Sequence, residues 1–237
     1  AYKAQQEGLP VAWSMVTWWQ GELIAKAMGI ELVFPENYAA FCAAQRLAEP
    51  YLERSDSEGF PATLCGYARN CFGYSIMMAE NNMQPPEGAP AGGMPKPMLL
   101  IGSGAACDGR FKWFQALKRY LEIPQWTLEH PQTGVREYFL PGHKEETIRF
   151  IKNHLKEFVS FLERLLGHKM DWEKLAKIVD QAFKTLTLAH EIDRLRKAVP
   201  SPMIAQDFWS IMIPHLFMPH DPEAYEFNKK VYAEVKY

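Results

Sequence analysis

The sequence has no excess of charge, no long apolar run and no phosphate-binding loop, and each absence excludes a class of protein. The 26 basic and 28 acidic side chains leave a net charge of −2, so attraction to nucleic acid or to an anionic membrane surface is not expected. No stretch approaches the roughly 18 consecutive apolar residues of a membrane span. Because no P-loop motif occurs, the chain is not expected to hydrolyse ATP itself.

A secretory signal and paired cysteine motifs are missing as well. The first 20 residues contain no basic segment leading into an apolar core, so we expect a cytoplasmic protein without a disulfide framework. The absence of any CxxC pair disfavours a structural zinc site. Metal binding of another kind, or redox chemistry, is therefore the leading non-structural role for the four cysteines, Cys42, Cys65, Cys71 and Cys107.

The first half of the sequence alternates short apolar runs with helical segments. The apolar runs predict buried strands at 10–13, 30–34, 98–101 and 125–128. Strands separated by helices form a parallel sheet with right-handed crossovers. We therefore predict an α/β fold with a parallel Rossmann or flavodoxin-like sheet, and we assign it to a domain of residues 1–141.

The second half of the sequence is predicted to be helical. Apolar residues recur at helical spacing over 145–166 and 171–199, and Pro222 begins a third helical segment. We place the domain boundary near Pro141-Gly142 and predict an α-helical region over 142–237. The chain begins without methionine and stops inside a predicted helix, so we expect the N-terminal part of a longer two-domain subunit, in which the helical region leads to a second domain absent here.

Two cysteines stand where predicted helices begin. Cys107 follows a strand and a Gly-Ser-Gly segment, and Cys65 follows Phe60-Pro61 in another loop-to-helix junction. A helix N-terminus favours the thiolate form of cysteine, and open α/β sheets place their sites at the carboxyl ends of strands. Thiolates converging from two such junctions suit an iron–sulfur cluster. For any single cysteine, a role as a small buried apolar residue remains the alternative.

Further candidates follow the first and second predicted strands. The tryptophans beside Ser14 and Thr17, among them Trp18, belong either to the core or to a pocket that binds an aromatic group. Glu36 follows the second strand and is placed like a catalytic acid. Its alternative role is that of a helix-start carboxylate that interacts with the helix dipole.

Two segments around these cysteines give the sequence a specific likeness to a known family. They are Phe60-Pro-Ala-Thr-Leu-Cys-Gly-Tyr-Ala-Arg-Asn and Cys107-Asp-Gly-Arg-Phe-Lys-Trp. With them, the chain resembles the 2-hydroxyacyl-CoA dehydratase superfamily over essentially its whole length. Within that superfamily it looks most like a catalytic subunit of ATP-dependent benzoyl-CoA reductase.

The resemblance implies a 4Fe-4S cluster held by three cysteines. Matched motif to motif, Cys65 and Cys107 are the ligands in this chain, and the third ligand of the family belongs to the absent second domain. Cys42 and Cys71 are the candidates to substitute for it, although neither matches a ligand position of the family, and Cys71 is the better reserve. The resemblance also implies that Thr17, Trp18 and Glu36 line the acyl-CoA pocket, with Glu36 as the proton donor.

The implied activity is that of an oxidoreductase acting on CH–CH bonds with ferredoxin as electron donor. In that role the chain dearomatises benzoyl-CoA, or an analogue, to a cyclic dienoyl-CoA in a reaction coupled to ATP hydrolysis. One alternative is a 2-hydroxyacyl-CoA dehydratase subunit, a lyase that acts through a transient ketyl radical. Another is a non-catalytic electron-transfer or scaffold subunit. The implied partners are a second catalytic subunit of the same family, iron–sulfur ATPase activator subunits, ferredoxin and the acyl-CoA substrate.

Overall fold

A computed structural model of the chain describes residues 2–16, 19–104, 107–129, 131 and 140–236. The chain divides into two compact units, Ala1–His168 and Lys169–Tyr237. In chain order the first unit contains α1 (Tyr2–Gln6), β1 (Val11–Ser14), α2 (Trp19–Ala27), β2 (Glu31–Val33), α3 (Pro35–Ala44), α4 (Glu49–Ser57), α5 (Gly66–Glu80), β3 (Leu99–Ser103), α6 (Asp108–Leu121), β4 (Gln125–Leu128) and α7 (His143–Leu166). The second unit contains α8 (Trp172–Leu195), α9 (Ala205–Phe217) and α10 (Pro222–Val235).

The described strands form a four-stranded parallel sheet in the order β2-β1-β3-β4. Ala12 of β1 is paired with both Leu32 of β2 and Leu99 of β3, and Leu100 of β3 with Gln125 of β4. The two central strands, β1 and β3, are buried along their whole length, as short apolar strands covered on both faces are. The predicted α/β class with a parallel sheet is confirmed.

Helices cover both faces of this sheet. The chain runs from β1 outward to β2, returns past β1 to β3 and continues to β4. Right-handed crossovers therefore place α2 on one face and both α5 and α6 on the other. In agreement, α5 packs against α6, and α2 packs against α7. Their shared core on the α5–α6 face contains, among others, Trp13, Phe72, Tyr74, Trp113 and Phe114.

The first compact unit extends beyond the boundary that we placed near Pro141-Gly142. Helix α7 belongs to it because the indole ring of Trp126, on β4, packs against Phe158 and Phe161 of α7. The ring centroids are 5.8 Å and 5.1 Å apart. The division between compact units therefore follows α7, after His168. A second domain beyond the helical region stays a prediction.

The helical predictions differ from the structure in two places. The sequence predicts one helix over 37–54, but α3 ends at Ala44 and α4 begins at Glu49. Between them Arg46 has a φ of 57°, in the left-handed region that a continuous helix excludes. Helices α1 and α9 were not predicted.

The proline- and glycine-rich segment between α5 and β3 is fixed to the core by aromatic side chains. The Trp13 indole donates to the Pro95 carbonyl at 3.0 Å. The Tyr74 hydroxyl donates to the Met94 carbonyl at 2.7 Å and accepts from the Met94 amide at 2.6 Å. Gly93 lies against this hydroxyl at a φ of 79°, and a Cβ there would lie 2.5 Å from the oxygen. Only glycine therefore fits that position without displacing Tyr74.

The second unit is a group of three helices with a polar contact inside it. The side chain of Asp171 caps α8 by accepting from the Lys174 amide at 2.9 Å, as expected for an N-cap aspartate. In the interior, the Asn228 amide donates to the Thr185 carbonyl at 3.3 Å. Burial lowers the pKa of His215, which favours the neutral imidazole. Among the helices described, none combines the length and the apolarity that crossing a membrane requires.

Helices α4 and α5 cross at a contact that only glycine permits, and this contact gives a first prediction. A Cβ on Gly73 would lie 1.8 Å from the carbonyl oxygen of Tyr51, so Gly73→Ala must push the helices apart. We expect the variant to lose about 3 kcal/mol of unfolding free energy, measured as a lower urea midpoint. Gly66→Ala in the same helix is the control, because its Cβ would meet nothing within 4 Å. Equal midpoints for the two variants would contradict the packing described here.

Candidate functional site

The strand order places a binding crevice at the carboxyl ends of β1 and β3. The chain leaves β1 toward β2 and leaves β3 toward β4, so the two connections diverge. Open α/β sheets bind ligands outside the strands at such a switch point. Met15 and Val16 follow β1 at this edge, and Gly104 and Cys107 follow β3. Thr17 and Trp18, which the resemblance assigns to the acyl-CoA pocket, lie outside the described residues.

Helices α5 and α6 run in the same direction, and both begin at this carboxyl edge. Helix α6 connects β3 to the parallel strand β4, so it starts where β3 ends. Directly after α5, Asn82 and Met83 line a crevice together with Tyr2 and Gln5, which precede β1. Helix α5 therefore ends at the amino edge of the sheet and begins at the carboxyl edge.

The register between these helices matches the spacing of the cysteines. The indole of Trp113 faces the thiol of Cys71 across the α5–α6 contact. Cys71 lies six positions after Cys65, and Trp113 lies six positions after Cys107. Packed helices lie about 8–10 Å apart. The structure therefore places Cys65 and Cys107 at the same edge, each six residues before the point where the two helices are in contact.

The four thiols fall into two classes. Cys65 and Cys107 are exposed, and they occupy the N-cap positions of α5 and α6. Negative charge is stabilised at such positions by the helix dipole and by unpaired backbone N–H groups. Cys42 and Cys71 are buried. The two exposed thiols are thus the ones placed to hold an external group.

Burial separates Cys71, the reserve ligand, from the two exposed cysteines. It raises the pKa of the Cys71 thiol to about 12, although Trp113 and Ser75 partly oppose this effect. Burial also raises the pKa of Cys42. Neither side chain is open to an external group in this structure, and the use of Cys71 as a reserve ligand stays a prediction. Within the described ranges, no group of three or more His, Cys, Asp or Glu side chains is arranged to hold a metal.

Arg110 connects three loops at this edge and was missed by sequence reasoning. Its guanidinium donates to the carbonyl of Val16, and Nη2 lies 3.4 Å from Oε2 of Glu36. Its backbone amide donates to the Cys107 carbonyl at 3.1 Å. The sequence does contain a signal for Arg110, which is a cation in the first turn of α6. A cation there is repelled by the positive end of the helix dipole, so it needs a specific partner. Only the fold shows what that partner is.

Glu36 lies in the first turn of α3, directly after Pro35. This position agrees with the dipole role considered from the sequence, and the ion pair with Arg110 adds a second role. The Glu36 side chain is about one quarter exposed (25%), so it is accessible to solvent as well as paired with Arg110. Its assignment as a proton donor stays a prediction.

The two classes of thiol give a second prediction, for native-state alkylation of the metal-free, reduced protein. At about pH 8 we expect iodoacetamide to modify Cys65 and Cys107 rapidly, and Cys42 and Cys71 only after unfolding. Burial excludes the reagent from the latter pair, and the raised pKa keeps Cys71 as an unreactive thiol. Peptide mass spectrometry measures each site, and a Cys65→Ser/Cys107→Ser variant is the control. Rapid native labelling of Cys71 would contradict the assignment.

Comparison with known proteins adds family membership to this geometry. Residues 21–237 match the family described as 2-hydroxyglutaryl-CoA dehydratase, D-component. The chain is 29% identical over 213 residues to the (R)-2-hydroxyisocaproyl-CoA dehydratase alpha subunit of Clostridioides difficile, covering 90% of this chain and 48% of the relative. It is 28% identical over 190 residues to lactoyl-CoA dehydratase subunit alpha of Anaerotignum propionicum, covering 78% and 44%.

A third relative is the (R)-phenyllactyl-CoA dehydratase alpha subunit of Clostridium sporogenes, 25% identical over 215 residues, covering 90% of this chain and 48% of the relative. The chain thus spans about half the length of the curated relatives that it matches. These matches confirm the superfamily indicated by the cysteine segments, while none of the three relatives is a benzoyl-CoA reductase. The chain belongs to the 2-hydroxyglutaryl-CoA dehydratase D-component family.

Proposed function

We propose that this chain is part of a dehydratase subunit that removes water from a 2-hydroxyacyl-CoA thioester to give a 2-enoyl-CoA. The observation that carries the proposal is the family match over residues 21–237, joined by three relatives that are all named as 2-hydroxyacyl-CoA dehydratase subunits. From the sequence alone, reductive dearomatisation of benzoyl-CoA is the leading hypothesis and the dehydratase is the alternative. With the family match and the relatives, we now favour the dehydratase.

The proposed reaction has a definite chemical difficulty. The hydroxyl group leaves from C2 and a hydrogen from C3, so the reaction is redox-neutral overall. A thioester carbonyl acidifies hydrogens at C2 but not at C3, and it does not assist loss of hydroxide from C2. Transient addition of one electron to the thioester carbonyl makes the C2 hydroxyl a leaving group, and the electron is returned after the C3 proton is lost. Hydroxide from C2 and the proton from C3 together account for the water that is released.

The described residues fit an iron–sulfur group in part. Cys65 and Cys107 are two exposed thiols on one edge, and thiolates are the ligands that such clusters require. A bound 4Fe-4S cluster supplies a one-electron donor and acceptor beside the substrate. In this proposal the two N-cap thiolates hold iron, and the remaining ligands come from outside the described cysteines, because Cys42 and Cys71 are buried.

The neighbouring residues have separate tasks in the proposal. Thr17 and Trp18, which follow Met15 and Val16 in the sequence, bind the acyl-CoA. Glu36 holds the proton that the departing hydroxyl takes up, and general acid catalysis of this kind requires hydrogen-bond reach.

The partners in the proposal follow from what the chain lacks and from its relatives. The matched relatives are alpha subunits, so we propose a second subunit of the same family. Because the sequence has no P-loop, ATP-driven electron delivery is assigned to separate iron–sulfur activator subunits that are supplied by ferredoxin.

A substrate comparison tests the proposed activity. With the complete protein purified anaerobically, its partner subunit and a reduced activator, we expect 2-hydroxyisocaproyl-CoA to be converted to the 2-enoyl-CoA and benzoyl-CoA to be left unchanged. Chromatography of the CoA esters measures both products. Formation of a cyclic dienoyl-CoA would restore the reductase interpretation. Failure to bind any CoA thioester, with iron retained, would favour an electron-transfer or scaffold role.

Variants of the cysteines test the assignment of ligands. We expect Cys65→Ala and Cys107→Ala each to lose the iron content and the electron paramagnetic resonance signal of the anaerobically purified protein, because each removes a thiolate. Cys42→Ala is the matched control and is expected to keep both, since Cys42 is a buried thiol. Unchanged iron content in both of the first two variants would refute the assignment.

A further inference from the structure

We propose that Arg110 is a positioning residue that holds the loop after β1, at Met15 and Val16, and the carboxylate of Glu36 in a fixed relation to Cys107. The inference rests on the proposed function for what the loop binds. The arrangement of the three loops around Arg110 stands on the geometry alone. The residues concerned come from three separate connections of the sheet, after β1, β2 and β3.

The location of Arg110 is costly for a cation. Its side chain is only 5% exposed, and it is the third residue of α6, where the helix dipole is positive. Burial of a charge requires strong compensation. The Val16 carbonyl and the Glu36 carboxylate provide it. Because these contacts hold Arg110 in place, Arg110 in turn restrains the Val16 carbonyl and the Glu36 carboxylate.

The guanidinium suits this task because it is planar and rigid. One guanidinium nitrogen, Nη2, faces both the Val16 carbonyl and the carboxylate of Glu36 in the first turn of α3. The planar guanidinium holds this nitrogen in a set direction, which a lysine ammonium on a flexible stem does not do. The backbone of Arg110 is at the same time tied to Cys107. Movement of Arg110 therefore changes the position of the loop relative to the thiol.

The chain offers a matched control in Arg69. It lies near Cys65 at the start of α5, and its backbone amide donates to the Cys65 carbonyl at 3.0 Å, much as Arg110 does to Cys107. Its guanidinium, however, pairs with Asp56 of α4, away from the switch point. Substitution of Arg69 perturbs an arginine beside a cysteine without touching the loop after β1.

The experiment compares Arg110→Lys with Arg69→Lys in the complete, iron-loaded protein. We expect Arg110→Lys to retain iron but to lose on the order of 10²-fold in kcat on 2-hydroxyisocaproyl-CoA, because small misplacements of reacting groups have effects of that size. We also expect it to alter the electron paramagnetic resonance spectrum recorded with bound thioester. Arg69→Lys is expected to stay within about twofold of the wild type. Unchanged kcat and spectrum in Arg110→Lys would overturn the proposal.

A double variant separates positioning from a general loss of stability. If Arg110 acts through Glu36, Arg110→Lys/Glu36→Gln should be no slower than the slower single variant, since groups that act as a unit are non-additive. Multiplicative losses in kcat would contradict coupling between the two residues.

Hydrogen exchange on the metal-free protein makes the test independent of the proposed activity. We expect Arg110→Gln to raise amide exchange at least tenfold in peptides that contain Met15 and Cys107, while Arg69→Gln leaves these peptides unchanged. Increased exchange in a protein that turns over no hydroxyacyl-CoA would support Arg110 and refute the proposed function. Unchanged exchange would refute the role of Arg110 whatever the activity.

Discussion

The packing of α5 against α6 is the constraint on which the carboxyl edge of the sheet depends. Cys71 and Phe72 on one helix and Trp113 and Phe114 on the other are buried together, and interiors packed at this density do not slide by a residue without a large loss of contact. Because the helices are parallel and their register equals the spacing of their N-cap cysteines, the core decides where the two exposed thiols stand. The burial of Cys71 in this contact is thus part of what presents the other two.

A second constraint acts across the loops rather than between the helices. Parallel strands deliver several loops to one edge, but nothing in the sheet itself fixes the loops relative to each other. Arg110 supplies that connection through the Val16 carbonyl and Glu36. The site therefore combines two closely packed helices with an arginine whose polar contacts connect the loops.

The sequence was sufficient for the sheet because buried parallel strands are short apolar runs between helices, as at 98–101, where the structure has the fully buried strand β3. It was insufficient for the break between α3 and α4, because the residue in the left-handed region there is Arg46 and not a glycine. The cysteines were predictable from their position at helix starts. Arg110 was not, because its partners lie 94 and 74 residues away in the sequence. Such long-range contacts follow from topology and leave no local pattern.

Under the proposed function, exposure of the thiols is a requirement of the chemistry. If the two cysteines were buried within one domain, the substrate and the electron donor would have to reach them through a packed core. The open edge of a parallel sheet is accessible to both. The described part of the chain provides two thiolates there and keeps its other two cysteines in the core. A cluster that needs more than two protein ligands would take the others from a part of the protein outside these residues. It would therefore lie at the boundary between this edge of the sheet and that other part. Substrate bound by the loop after β1 would meet the cluster at that same boundary, beside the arginine that sets their separation.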